Sequence, residues 1–370
     1  MWKRAFAAAL LLVFSRSVLS LCDCENTGEP PSEFQRNTST GTQEAWAYDH
    51  LGRRFNFLLD PLDETIGKPI RGKHSMWEDW MQPCFDFFAD ENATAIDIGG
   101  NIGVHSVYMA ARFHSVLVFE PQPGVWAQNL GNLRANEMSR SRVCRCALSS
   151  PNNRGGVARM RTRNIGNWGA TMINRVRPHN VDHEEWESSP VHRARDGHQL
   201  EHVVPLSTLD DEWKRVGSPR IAVIKLDAEN HEPHIIEGAT ELLSTHQPPI
   251  LFEEWTWLRR KCLTIKALEK HGYLSHLLYQ DHDFIALHKG DPRAAEFGHD
   301  LITIDGTCAE TDGRGEAASD DLRAHTKSYH DHSCMCRAPA NSALRSTSPS
   351  GECPHDRATL RKRRRRRQRE

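Results

Sequence analysis

Three features of this 370-residue sequence predict an α/β protein, a seven-stranded, mainly parallel sheet with one antiparallel strand and helices on both faces. Short β-rich apolar runs alternate with helical periodicity from about residue 94 to 271, and glycines cluster where the first of those runs gives way to a helix. A pair of apolar runs split by polar residues then closes the core as a hairpin. Strands joined through helices run parallel, and a parallel sheet is buried on both faces.

The first 20 residues, MWKRAFAAALLLVFSRSVLS, have the three parts of a secretory signal: basic Lys3 and Arg4, an apolar stretch, and the small residues Val18 and Ser20 before a cut. The apolar stretch is about half the length needed to span a bilayer. Residues 21–45 are polar, with Pro30-Pro31 and a Thr/Ser run, and read as a linker. The body, 46–299, opens with the strand-like FNFLLD and the aromatic MWEDWMQPCFDFF. The alternation follows: strand TAIDI, helix 103–113, strand SVLVFE, helix 124–138, strand RVCRCALS. The rhythm breaks at GGVARMRTRNIGNWGATMI, a predicted β-hairpin, and at the polar stretch 178–202. It resumes with RIAVIKLDAE, helix 231–244, PPILFEEW, helix 257–271 and the hairpin YLSHLLYQDHDFIALHK. From 300 to 370 apolar periodicity is lost and Ser, Asp, His and Arg dominate, the composition of a disordered tail.

Cysteine usage agrees with export. The ten cysteines include the pairs Cys22/Cys24, Cys144/Cys146 and Cys334/Cys336. In an oxidising compartment such pairs favour disulfides over metal ligands, so no metal site is assigned. HDHSCMC, residues 330–336, could bind zinc or copper by spacing, but its setting favours disulfides as well. The expected location is the secretory pathway (endoplasmic reticulum or Golgi lumen) or outside the cell. Net charge is −2, yet the last ten residues, RKRRRRRQRE, carry +7 and the other 360 carry −9. Behind a signal peptide the basic run cannot serve nuclear import. It suits weak contact with an anionic polysaccharide or membrane surface, and no nucleic-acid partner is expected.

In such sheets ligands bind at the carboxyl ends of the strands, and three strand ends carry unusual residues. The first, AIDIGGNIGVHS, places Asp97, Gly99, Gly100, Asn101 and Gly103 at a strand-to-helix turn. A tight turn accounts for glycines there, and so does a loop cleared for a nucleotide-like ligand. The second is Glu120 in FEPQP, 23 residues beyond Asp97, where a carboxylate can accept both hydroxyls of a ribose. The third, IKLDAENHE, sets Lys225, Asp227 and Glu229 at a period of two. These charges either pair structurally or reach a polar cleft, where a carboxylate could orient or deprotonate an acceptor. A nicotinamide dehydrogenase shares the loop-plus-acid logic, but its Gly-x-Gly-x-x-Gly fingerprint is absent.

IDIGGNIGVHS, VFEPQPGVWAQNLGNLRAN, LSTLDD and IKLDAENHEPHIIEGATELL…PPILFEEW follow one another in an order that resembles the FkbM family of S-adenosylmethionine-dependent methyltransferases over roughly residues 50–290. The resemblance implies the Rossmann-like class I methyltransferase sheet and S-adenosyl-L-methionine as cofactor. It implies that Asp97, Gly99, Asn101 and Gly103 hold the cofactor's methionine and ribose end, and Glu120 its ribose hydroxyls; Gly100 is a further cofactor-binding candidate because its place in the loop lets it present a backbone N–H. Methyl transfer needs a nucleophile made available by a base, so Lys225, Asp227 and Glu229 are the catalytic candidates, with His231 a further base, and the expected reaction is O-methylation of a saccharide or small-molecule acceptor at a hydroxyl or carboxyl. Asn230 stands where the family's motif often has glycine. The alternative is an inactive domain of this fold acting as a secreted carbohydrate-binding or interaction module.

Overall fold

The computed structural model describes residues 22–28, 42–164, 167–177, 201–255, 261–279, 282–294 and 302–304. The signal-like N-terminus, the 178–200 stretch, HDHSCMC and the basic C-terminus fall outside these residues. Strands β1 (Asp23–Asn26), β2 (Gln43–Tyr48), β3 (Arg54–Leu59), β4 (Thr94–Ile98), β5 (Ser115–Phe119), β6 (Arg142–Arg145) and β7 (Ala147–Leu148) precede the insertion. The insertion holds β8 (Val157–Asn164), β9 (Asn167–Arg177) and β10 (Glu201–Ser207). Strands β11 (Ile221–Leu226), β12 (Ile250–Glu253), β13 (Tyr273–Tyr279), β14 (Asp283–His288) and β15 (Ile302–Ile304) complete the chain.

The main sheet runs β1-β6-β5-β4-β11-β12-β14-β13-β15. Its seven central strands have the class I methyltransferase arrangement, with β14 alone antiparallel among them. Two edge strands correct the expected count of seven. β1 pairs antiparallel with β6, so residues 23–26 are sheet rather than linker, and β15 pairs antiparallel with β13, beyond the expected boundary at 299. The predicted hairpin is β8–β9, joined through β10 and β7 into a separate four-stranded sheet.

Alternation sorts the core into two layers. Val116 and Val118 of β5 join a cluster with β2, β3 and the helices Val104–Ala110 and Pro123–Ala135. Leu117 and Phe119 join the opposite cluster with the helices Leu209–Arg215, Glu232–Glu237, Thr240–His246 and Leu263–Glu269. The long helix begins at Pro123, whose missing N–H costs nothing in a first turn. Thr208 caps another by accepting from the Asp211 amide. The predicted helix 231–244 is two helices, divided at Gly238–Ala239. An added Cβ on Gly238 would stand 2.2 Å from the Ser149 carbonyl oxygen, so the break lets this segment approach the chain beyond β7.

Candidate functional site

A cavity of about 350 Å³ opens at the carboxyl ends of β4, β5, β11 and β12. Gly99 and Asn101 form part of its wall, and the geometry explains why the loop is glycine-rich. Gly99 has φ +75°, and a Cβ there would lie 1.7 Å from the Asp227 carbonyl oxygen, so only glycine lets the ends of β4 and β11 meet. The helix Pro123–Ala135 braces the loop from behind. Asn129 Nδ2 donates to the carbonyls of Gly100 and Asn101, both at 3.0 Å, and Asn132 Nδ2 donates to the Ile102 carbonyl at 2.7 Å.

Glu120 is buried beside this loop. Its carboxylate accepts from the Asn101 amide at 3.0 Å and the Gln122 amide at 2.8 Å. Burial pushes its pKa up to about 7, against the pull of those two amides. Asp97 sits deeper, one oxygen accepting from Ser106 Oγ at 2.5 Å and the other, Oδ1, buried with no partner among the described residues. Of the six cofactor-site expectations, Gly99, Asn101 and Glu120 line the cavity, while Asp97, Gly100 and Gly103 lie behind it.

The IKLDAENHE motif divides similarly. Lys225 is buried next to Asp97 in the paired strands and reaches Asp227 Oδ2 at 3.1 Å. It is the structural partner of Asp227 rather than a lining residue, and the surrounding carboxylates raise its pKa despite burial. Asp227 and Glu229 face the cavity. Glu229 and Asn230 are consecutive left-handed residues, at φ 51° and 73°. Glu232 holds that turn, accepting from the Ala228 amide at 2.7 Å and the Asn230 amide at 3.3 Å. His231 is buried against Ser149 Oγ at 3.0 Å, and burial lowers its pKa to about 4.

Sequence reasoning missed several lining residues. Glu78, left-handed at φ 50°, comes from the aromatic segment before β4 and accepts from His105 Nε2 at 3.1 Å. Burial opposes its ionisation, yet His105 and Lys225 outweigh burial and lower its pKa. Glu253 ends β12, with Oε2 accepting from Trp255 Nε1 at 2.7 Å, and burial with the charges of Asp227 and Asp283 raises its pKa. Trp255 stacks on His282 at 4.0 Å. The β8–β9 hairpin roofs the cavity: Thr171 Oγ1 donates to Gln122 Oε1 at 2.9 Å, and a Cβ on Gly169 would meet Asn101 Nδ2 at 2.8 Å. Two buried asparagines three apart in an apolar helix, Asn129 and Asn132, were the one legible sign of bracing.

The lining thus combines apolar side chains, among them Phe119, Leu148, Met160 and Ile235, with Trp77, Glu78, Asp227, Glu229 and Glu253. Among the described lining residues there is no lysine or arginine. The apolar lining residues suit a flat base, buried Glu120 suits a diol, and the cleared loop suits backbone contact, so the residues present fit an adenosine-type cofactor.

Residues 97–279 match the family described as the methyltransferase FkbM domain. None of the curated proteins matches the chain. Among solved structures, the chain is similar to methyltransferase FkbM from Methylobacillus flagellatus KT at 16% identity, covering 54% of this chain and 44% of that one, with TM-score 0.34. It therefore spans under half the length of that relative. It is similar to the M1A22 tRNA methyltransferase TrmK of B. subtilis at 11% identity, over 76% of this chain and 93% of that one, with TM-score 0.32. It is also similar to M. jannaschii TYW2 in complex with AdoMet, at 11% identity over 63% and 81%, with TM-score 0.26.

Proposed function

Residues 97–279 form a methyltransferase FkbM domain, and on that premise we propose that the chain transfers the methyl group of S-adenosylmethionine to a hydroxyl of a saccharide or other small-molecule acceptor. The observation that carries the cofactor half is buried Glu120, aligned by two backbone amides beside the Gly99 loop. Gly99, Asn101 and Glu120 would hold the methionine and ribose portion, and apolar lining residues such as Phe119, Leu148 and Ile235 the adenine. When bound, the cofactor supplies an electrophilic methyl group on a sulfonium.

The acceptor half rests on charge. With Glu78, Asp227 and Glu229 on the lining and no lysine or arginine among the described lining residues, an anionic acceptor is disfavoured. A hydroxyl therefore fits better than a carboxylate. Asp227, Glu229 and Glu78 are the carboxylates placed to take its proton. Secretion through the signal-like N-terminus, and weak anionic contacts by the basic tail, belong to the same proposal.

Calorimetric titration with S-adenosylmethionine tests it. Wild type binds, and Glu120→Ala loses about 1–3 kcal/mol, the cost of leaving buried donors without their charged partner. Equal affinity in the two proteins would remove Glu120 from the site.

A further inference from the structure

β1 lies outside the matched FkbM segment, yet it is bound covalently to the strand that carries one wall of the cavity. Its four residues pair with β6 so that Cys24 faces Cys144. The disulfides Cys22–Cys146 and Cys24–Cys144 are two steps of that single antiparallel register. The Cys-x-Cys spacing of both segments makes this possible, because positions two apart in a strand project from one face. Cys22, Cys144 and Cys146 are buried in the apolar layer with Phe119 and Ile235, Cys24 packs half-buried against it, and Arg215 reaches Cys24 Sγ at 2.6 Å.

β6 and the residue that follows it touch the site at two points. The Cys144 carbonyl accepts from the Glu120 amide at 3.0 Å, fixing the backbone that carries the diol-binding carboxylate. Cys146 itself lines the cavity, next to Ala147 and Leu148. β6 has a paired neighbour on one side in β5, and among the described residues the strand paired with its other edge is the four-residue β1.

We infer that these two disulfides are working parts of the cofactor site: by clamping β1 to β6 they hold Glu120 and the Cys146 wall in the binding geometry, so that cofactor affinity depends on their being oxidised. The inference rests on the cofactor reading above. Reduction by a dithiol such as dithiothreitol delivers two electrons and two protons to each disulfide, giving two thiols, while the dithiol closes to its own cyclic disulfide. The freed β6 edge then samples geometries in which the site is incomplete, and apparent affinity falls with the competent fraction. The same device confines binding to protein that has matured in an oxidising compartment.

Cys84 and Cys262 are also disulfide-bonded, so variants are cleaner than reductant alone. The full chain is compared as wild type, Cys22→Ala/Cys146→Ala, Cys24→Ala/Cys144→Ala and all four substitutions, by S-adenosylmethionine calorimetry beside far-ultraviolet circular dichroism. Each double variant is expected to weaken binding severalfold, and the quadruple variant by about tenfold or more, with secondary structure retained. A folded quadruple variant that binds like wild type overturns the inference. So does a quadruple variant that loses its secondary structure, since the bonds would then support the fold at large rather than the site. No binding to the oxidised wild type defeats the cofactor reading itself, and this inference with it.

Discussion

Glu120 shows how one residue's environment becomes a measurable behaviour. Its carboxyl is buried, two amides face it, and its pKa stands at about 7 before a ligand arrives. A diol donates to the ionised form, so binding must drive off any proton the carboxyl carries. Cofactor affinity should therefore rise with pH through 7, by about tenfold between pH 6 and pH 8, and level off above. Calorimetry across that range in buffers of different ionisation enthalpy would check both affinity and proton release; a flat profile would mean that Glu120 does not titrate on binding. The acceptor-side carboxylates behave differently. Asp227→Asn, Glu229→Gln and Glu78→Gln should leave cofactor affinity nearly unchanged, while the one that takes the proton loses roughly 10²–10⁴-fold in turnover. Because Lys225 already engages Asp227 Oδ2, Asp227→Asn should also lower thermal stability, which separates a structural pair from a base. If all three variants are folded and fully active on a verified acceptor, the base lies elsewhere.

At the scale of elements, the alternation of strands and helices was legible because parallel strands are apolar throughout and their helices show one buried face. Hence β4, β5, β11, β12, their helices and the closing hairpin follow the sequence pattern closely. The edge strands were not legible. DCEN and ITI are too short for periodicity to declare them, and their pairing is decided by cysteines and by the edge on offer. Half the site was legible for the same reason: strand-end glycines and acids can be counted along the chain. Glu78, Trp77, Thr171 and Trp255 reach the cavity from loops and from the hairpin roof, and no linear spacing encodes that approach. The Glu229–Asn230 turn shows the limit well. Asparagine tolerates left-handed angles, and Asn230 takes φ 73°, so the loss of the family's glycine is absorbed. Asn230→Ala should cost about 1 kcal/mol in urea unfolding, whereas Asn230→Gly should be neutral or stabilising. Equal losses from both would place the contribution in the asparagine side chain rather than the backbone.

Across the whole molecule the buried titratable groups pull stability in opposite directions with pH, and the sign of each is fixed by its shift. Glu120 and Glu232 titrate at about 7 and about 8 in the folded chain, against 4.5 unfolded, and Glu253 is raised too. Between 4.5 and those values the folded state holds more protons than the unfolded state, so their contribution is full at low pH and is lost as pH rises. His231, lowered from 6.5 to about 4, works the other way, and His202, His246, His271 and His276 are lowered as well. Their contribution is present above 6.5 and is lost as pH falls. Glu78 and Asp86, also lowered, give way only in more acidic solution. Above pH 6.5 the histidines have nothing further to add, while the three glutamates continue to lose. The melting temperature should therefore fall by several degrees from pH 6.5 toward pH 9. Glu232→Gln, which cannot ionise but can still accept from the Ala228 and Asn230 amides, should flatten that decline up to about pH 8. Scanning calorimetry from pH 5 to 9 on both proteins is the check, and a wild-type melting temperature that holds or rises from 7 to 9 would show that these carboxyls are ionised at little cost in the fold.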